Sequence, residues 1–133
     1  MTMATITEDF CSFEVAKLLK EKGFDVPVNY EYHYKITIPQ FHRKKHNFNG
    51  IEYSKCSSEW YSAPTHQMAM KWLREMHNIN IDIVPIWNQK RFEYQVFVVT
   101  PENAKQCYID DKLYLGYEDA VEAALKYALE NLI

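Results

Sequence analysis

Between Ser62 and Val84 the chain writes out a helix and then, with no loop between them, a strand. Ser62 can accept a hydrogen bond from an orphan amide, and Pro64 suits a first helical turn, where its missing N–H goes unneeded. Ala69, Trp72, Leu73 and Met76 recur at helical spacing. Met68, Trp72 and Met76 fall on one line expected to face a sheet, whereas Met70 shares the other side with His66, Arg74 and His77. Asn78 can take the left-handed stop, and Ile79, Ile81 and Ile83 then alternate with Asn80 and Asp82 as a half-buried strand does. The pattern constrains architecture and carries no chemistry of its own.

The flanking segments follow the same grammar. Ser12 is placed to cap a helix whose apolar side is Phe13, Val15, Ala16, Leu18 and Leu19, with Gly23 as its stop and Phe24 folding back on the last turn. Tyr30, Tyr32, Tyr34, Ile36 and Ile38 alternate with Glu31, His33, Lys35 and Thr37, predicting a strand with the tyrosine side buried. Pro39 closes it. A polar, basic stretch from Gln40 to Asn49 reads as a long hairpin tip before Gly50, and Ile51 and Tyr53 alternate again up to Cys56. Beyond the central strand, Pro85 marks an edge, a bent end or a finish, and Asn88 to Arg91 make a polar turn. Phe92, Tyr94, Val96 and Val98 complete a second hairpin, which Thr100-Pro101-Glu102-Asn103 breaks. Cys107 to Leu115 suggests one more strand or a short hairpin across Asp110-Asp111. Gly116 precedes a last helix with the stripe Val121, Ala124, Leu125, Ala128, Leu129 and Leu132, and with Glu118 and Asp119 in the dipole-favoured first turn.

The predicted fold is therefore α+β, in the order α-β-β-α-β-β-(β)-α. An antiparallel sheet of two hairpins, four or five strands in all, is packed by three helices, mostly on one face. A chain of 133 residues, 47% hydrophobic, is enough for one core, so residues 1–133 read as a single domain with 1–9 flexible or extended. Similar helix ends at Leu18-Leu19-Lys20-Glu21 and Trp72-Leu73-Arg74-Glu75, each leading to a hairpin, hint at duplication, although two amphipathic helices can agree this far by chance.

A net charge of −3 removes any global attraction to nucleic acid or anionic membrane, so such binding must be local. Three cysteines, Cys11, Cys56 and Cys107, with no CxxC spacing suggest neither a disulfide framework nor a zinc ribbon. With no basic-apolar leader in Met1 to Asp9 and no run of membrane-spanning length, a cytoplasmic location is expected.

Three blocks, Phe13 to Phe24, Ala63 to Glu75 and Tyr117 to Tyr127, together resemble a set of small uncharacterised proteins of gut Bacteroides-type bacteria and their phages. The likeness spans nearly the whole chain apart from Gln40 to Glu59. It implies a bacterial or phage setting and a mobile-element role, and it brings no activity and no catalytic residues.

The best local case for chemistry is His42-Arg43-Lys44-Lys45-His46 between Phe41 and Phe48. Cations beside aromatic rings can hold phosphates while the rings stack on bases. A solvated hairpin tip would have the same composition. The candidate nucleic-acid contacts are thus Phe41, Arg43, Lys44, Lys45 and Phe48. A metal at His42 and His46 lacks further ligands nearby, and neither a metal nor a cofactor is expected. The order helix, three strands, helix from Pro64 onward is similar to that of double-stranded RNA-binding domains, but the final helix opens with Glu118 and Asp119 where those domains need cations. Cys107 near Asp110 and Asp111 has no signature of covalent catalysis, and no phosphate-binding glycine loop occurs, so hydrolytic chemistry ranks third and no catalytic residue is assigned. The leading expectation is an accessory or binding role through contacts with an unidentified protein, with His66, Met70 and Arg74 as the candidate surface. Nucleic acid is the alternative partner.

Overall fold

The computed structural model describes residues 8–33, 37–50, 59–109 and 112–133. Helix α1 (Phe13–Glu21) leads to strands β1 (Val28–His33), β2 (Gln40–His46) and β3 (Trp60–Ser62). Helix α2 (His66–His77) leads to β4 (Ile79–Ile86), β5 (Arg91–Val99) and β6 (Ala104–Ile109), and α3 (Tyr117–Asn131) closes the chain. This is an α+β fold with antiparallel strands throughout. The described strands form two three-stranded sheets, β2-β1-β3 and β4-β5-β6, where one sheet of two hairpins was expected. Among the described residues, α1 and α2 are each followed by three strands. The strand that follows directly is central in the first sheet and an edge in the second, so the described strands of the two halves differ in topology.

Local chemistry accounts for the helix ends. The Ser12 hydroxyl accepts from the Val15 amide at 3.2 Å and caps α1. Gly23 takes the left-handed conformation at φ 91°, and the Phe24 amide donates back to the Leu19 carbonyl. At α2 the cap is Thr65, whose hydroxyl accepts from Met68 N, and not Ser62. Ser62 lies in β3, where its hydroxyl accepts from the Phe48 amide at 3.0 Å. Asn78 stops α2 at φ 58°, and β4 begins at the next residue. Pro85 stands in β4, an edge strand.

Helix α3 lies across β4 and β5 and also meets α1 and α2. Its stripe Val121, Ala124, Leu125, Ala128 and Leu129 is fully buried in one core with Ile79, Ile81, Tyr94, Val96, Leu19, Phe24 and Leu73. The alanines let the helix backbone approach the sheet closely, as expected. A smaller cluster, Ala16, Tyr32, Tyr61 and Ala63, joins α1 to the first sheet.

Three readings of the alternation are corrected. Of the predicted strand, Ile38 is exposed, while Glu31, on the side opposite the tyrosines, is 0% exposed. The basic segment is the strand β2, not a hairpin tip. In α2 the buried face is His66, Ala69, Met70, Trp72 and Leu73, with Met76 65% exposed, so the helix is rotated from the expected Met68-Trp72-Met76 line. The expectations for Tyr34 to Ile36, Ile51 to Cys56 and Asp110-Asp111 lie outside the described residues.

Candidate nucleic-acid interface

Strand β2 is an edge of the first sheet, and its pairing with β1 is broken in a particular way. Glu31 faces Gln40 and Tyr30 faces Phe41, but Val28 faces His46, so β2 advances five residues where β1 advances two. Three extra residues are pushed out of the ladder between His42 and His46. They fall in the run Arg43, Lys44 and Lys45, all exposed. A bulge of this kind re-aims side chains at a sheet edge and blocks pairing with another strand.

Side chains hold the bulge at its His42 end, and the ladder resumes at the Val28–His46 pair. The Asn29 side-chain amide donates to the His42 and Arg43 carbonyls at 3.1 and 3.5 Å, taking over acceptors that the ladder has abandoned. Glu31 holds the His42 side chain. Its carboxylate accepts from His42 Nε2 at 3.1 Å and from His33 Nδ1 at 2.9 Å. An ionised carboxylate only accepts, so it pairs with the tautomer of each ring that has N–H on the facing nitrogen. A buried carboxylate is tolerable only with such partners, so the two imidazoles are the condition for Glu31 being inside.

Aromatic rings wall the acid off from water. His33 stacks on Trp60 at 4.6 Å, Trp60 lies parallel to Phe48 at 6.1 Å, and His42 tilts against Phe48 at 4.7 Å. Phe48 is 0% exposed and packs in the core, which corrects its assignment as a base-stacking residue. Phe41, by contrast, is 64% exposed. Its ring meets Tyr30 at 5.3 Å, and Tyr30 meets Phe10 at 4.3 Å, so an aromatic row runs beside the bulge. Phe10, Tyr30 and Lys45 also line a cleft of about 200 Å³, with Glu8 among its other lining residues.

The surface expected at His66, Met70 and Arg74 does not form. His66 and Met70 are buried and only Arg74 is exposed, because α2 turns the first two toward the core. The structure thus brings Arg43, Lys44, Lys45 and Phe41 together and separates them from Phe48. Sequence reasoning missed Glu31, His33, Asn29, Tyr30 and Phe10. A Glu-x-His pair in an aromatic strand was visible, but its third member arrives only through strand pairing.

Among the described residues no helix is long and apolar enough to cross a membrane. No family model, curated protein or solved structure matches the chain, so the resemblance to uncharacterised bacterial and phage proteins stands as an expectation.

Proposed function

We propose that the β2 edge binds single-stranded nucleic acid. The observation that carries this reading is the three-residue basic bulge, held by side chains at its His42 end and set beside the exposed ring of Phe41. Phosphates meet Arg43, Lys44 and Lys45, and a base stacks on Phe41, which Tyr30 supports from behind. The anchoring by Asn29 and Glu31 removes part of the ordering entropy that a floppy basic loop would lose on binding. Since the chain is net acidic, the attraction is local and screened easily by salt. Double-stranded RNA is a poorer fit, because Glu118 and Asp119 stand in the first turn of α3.

Fluorescence polarisation with a labelled single-stranded oligonucleotide tests the proposal. Three phosphate contacts give a slope of about −2 in log affinity against log salt. Replacing Arg43, Lys44 and Lys45 together by alanine abolishes that slope and leaves folding stability within about 0.5 kcal/mol, as exposed positions do. Unchanged binding in the triple variant, or none to lose at low salt, overturns the proposal.

A second reading, contact with a protein, is favoured by Trp87, which stands 88% exposed in the β4–β5 turn. Trp is the residue type that anchors interfaces most often. Trp87→Ala separates the readings, since it leaves oligonucleotide binding at β2 intact.

A further inference from the structure

Outside the aromatic row, three side chains that can ligate a metal converge from three parts of the chain. Cys11 precedes α1, His66 is the first residue of α2, and Glu122 lies in the second turn of α3. One donor atom from each lies within 4.8 Å of the other two. We infer that Cys11, His66 and Glu122 form a binding site for a divalent cation of the zinc class.

The positions are held by the backbone and not by the side chains alone. The Cys11 amide donates to the Pro64 carbonyl and the His66 amide to the Asp9 carbonyl, both at 2.9 Å, and Phe10 bridges to Thr65. The Ser12 amide donates to Glu122 Oε1 at 2.9 Å, which ties the same segment to α3. The site is therefore pre-assembled, with two donors buried and the third half-buried.

The donor types select the ion. Thiolate, imidazole and carboxylate together suit zinc and its neighbours, whereas magnesium and calcium take oxygen alone. Three protein donors leave a further coordination position for water or an exogenous ligand. His66 also lines a second cleft, of about 230 Å³, together with Glu8, Asp9 and Glu118. None of its lining residues is a lysine or arginine, so the cleft attracts cations toward the imidazole.

The Cys11 proton has to leave before the sulfur can bind a cation, and this is the cost of loading the site. Burial, and then the negative charge of Glu122, push the Cys11 thiol well above its ordinary value. Burial also pushes the Glu122 carboxyl up, but hydrogen bonds from His66 and Ser12 outweigh it and hold the group below its usual value. A thiol in that state, fully buried and with a long 3.9 Å contact to the Thr65 carbonyl, is a poor nucleophile. A dication among the three groups removes the obstacle to the thiolate, since ligation displaces the proton.

The test uses the full chain, stripped with a chelator and titrated with cobalt(II) alone. One equivalent produces a thiolate-to-cobalt charge-transfer band in the near ultraviolet, and zinc bleaches it. Zinc in excess raises the thermal midpoint by roughly 5 °C. Cys11→Ser removes the band, and Glu122→Gln weakens cobalt binding by more than about tenfold, the loss that even an outer-shell partner produces. X-ray absorption at the zinc edge of the unsubstituted protein needs no variant to fold, and it shows sulfur and imidazole around one ion. A folded protein with no band and no shift in its midpoint overturns the site. So does a band that survives Cys11→Ser, or a zinc shell without sulfur.

Discussion

The β4–β5 and β1–β2 ladders are built from similar material and obey different rules, while β5 and β6 shift register once, between Val96 and Phe97. Strands β4 and β5 pair without interruption over eight positions, from Ile79 opposite Val98 to Ile86 opposite Arg91, and their inner residues meet the buried stripe of α3. Strands β1 and β2 lose register after two consecutive pairs, bury a carboxylate, and push three cations into solvent. A regular ladder over an apolar core maximises stability and says little about function. A bulged edge with an internal acid lowers stability locally, and a protein keeps such features where something else depends on them. On the proposed reading the second sheet is the scaffold, and the first holds the site.

The largest effect should come from the scaffold. Leu125 is fully buried in the shared core, and Leu125→Ala should lower the unfolding free energy by about 2–5 kcal/mol, measured by chemical denaturation. Oligonucleotide affinity of the remaining folded protein should not change; if it does, the division between the halves fails. Next is Glu31→Gln, which keeps the shape but presents an amide to two imidazole donors. It should cost about 1–3 kcal/mol and also weaken oligonucleotide binding, because His42 is no longer held at the start of the bulge. A loss of stability with unchanged affinity would reduce Glu31 to a structural residue.

Tyr32 sharpens the boundary between the sheet and the N-terminal segment. Its hydroxyl donates to the Cys11 carbonyl at 2.7 Å, and burial, with Cys11 and Glu122 nearby, pushes its ionisation up to about 12 from 10.0. The neutral form is the one the folded state favours, so this contribution is complete below pH 10 and disappears as the pH rises through about 12. Tyr32→Phe should cost about 1 kcal/mol at neutral pH and flatten the alkaline limb of the stability profile. The smallest effect on stability belongs to the alanine triple variant at the bulge, whose consequence is confined to binding.

What the residues disclose in advance follows the same division. The stripe of α3, the caps at Ser12 and Asn78, and the alternation in β4 and β5 depend on neighbours a few positions away, so periodicity revealed them. The first sheet depends on pairing between distant segments. Glu31 is polar and alternates as a surface residue would, and nothing within β1 shows that His42 comes from β2 to neutralise its burial. The strand Gln40–His46 is so polar that composition alone reads it as a loop. In α2 the apolar residues cover more than one face, so tertiary contacts, not spacing, decided that Met70 turns inward and Met76 outward. Cys11, His66 and Glu122 are separated by more than fifty residues at each step, beyond the reach of any spacing rule.

The central claim is that the edge carrying the basic bulge, and not the unbroken β4–β5 ladder, meets the ligand. Backbone amide shifts recorded by nuclear magnetic resonance during titration with a single-stranded oligonucleotide test it directly. The account requires perturbations concentrated at Asn29, Tyr30 and the segment from Phe41 to Lys45, with β4 and β5 unmoved. Perturbations centred on β4 and β5 or on the Trp87 turn, or none at low salt, would contradict it.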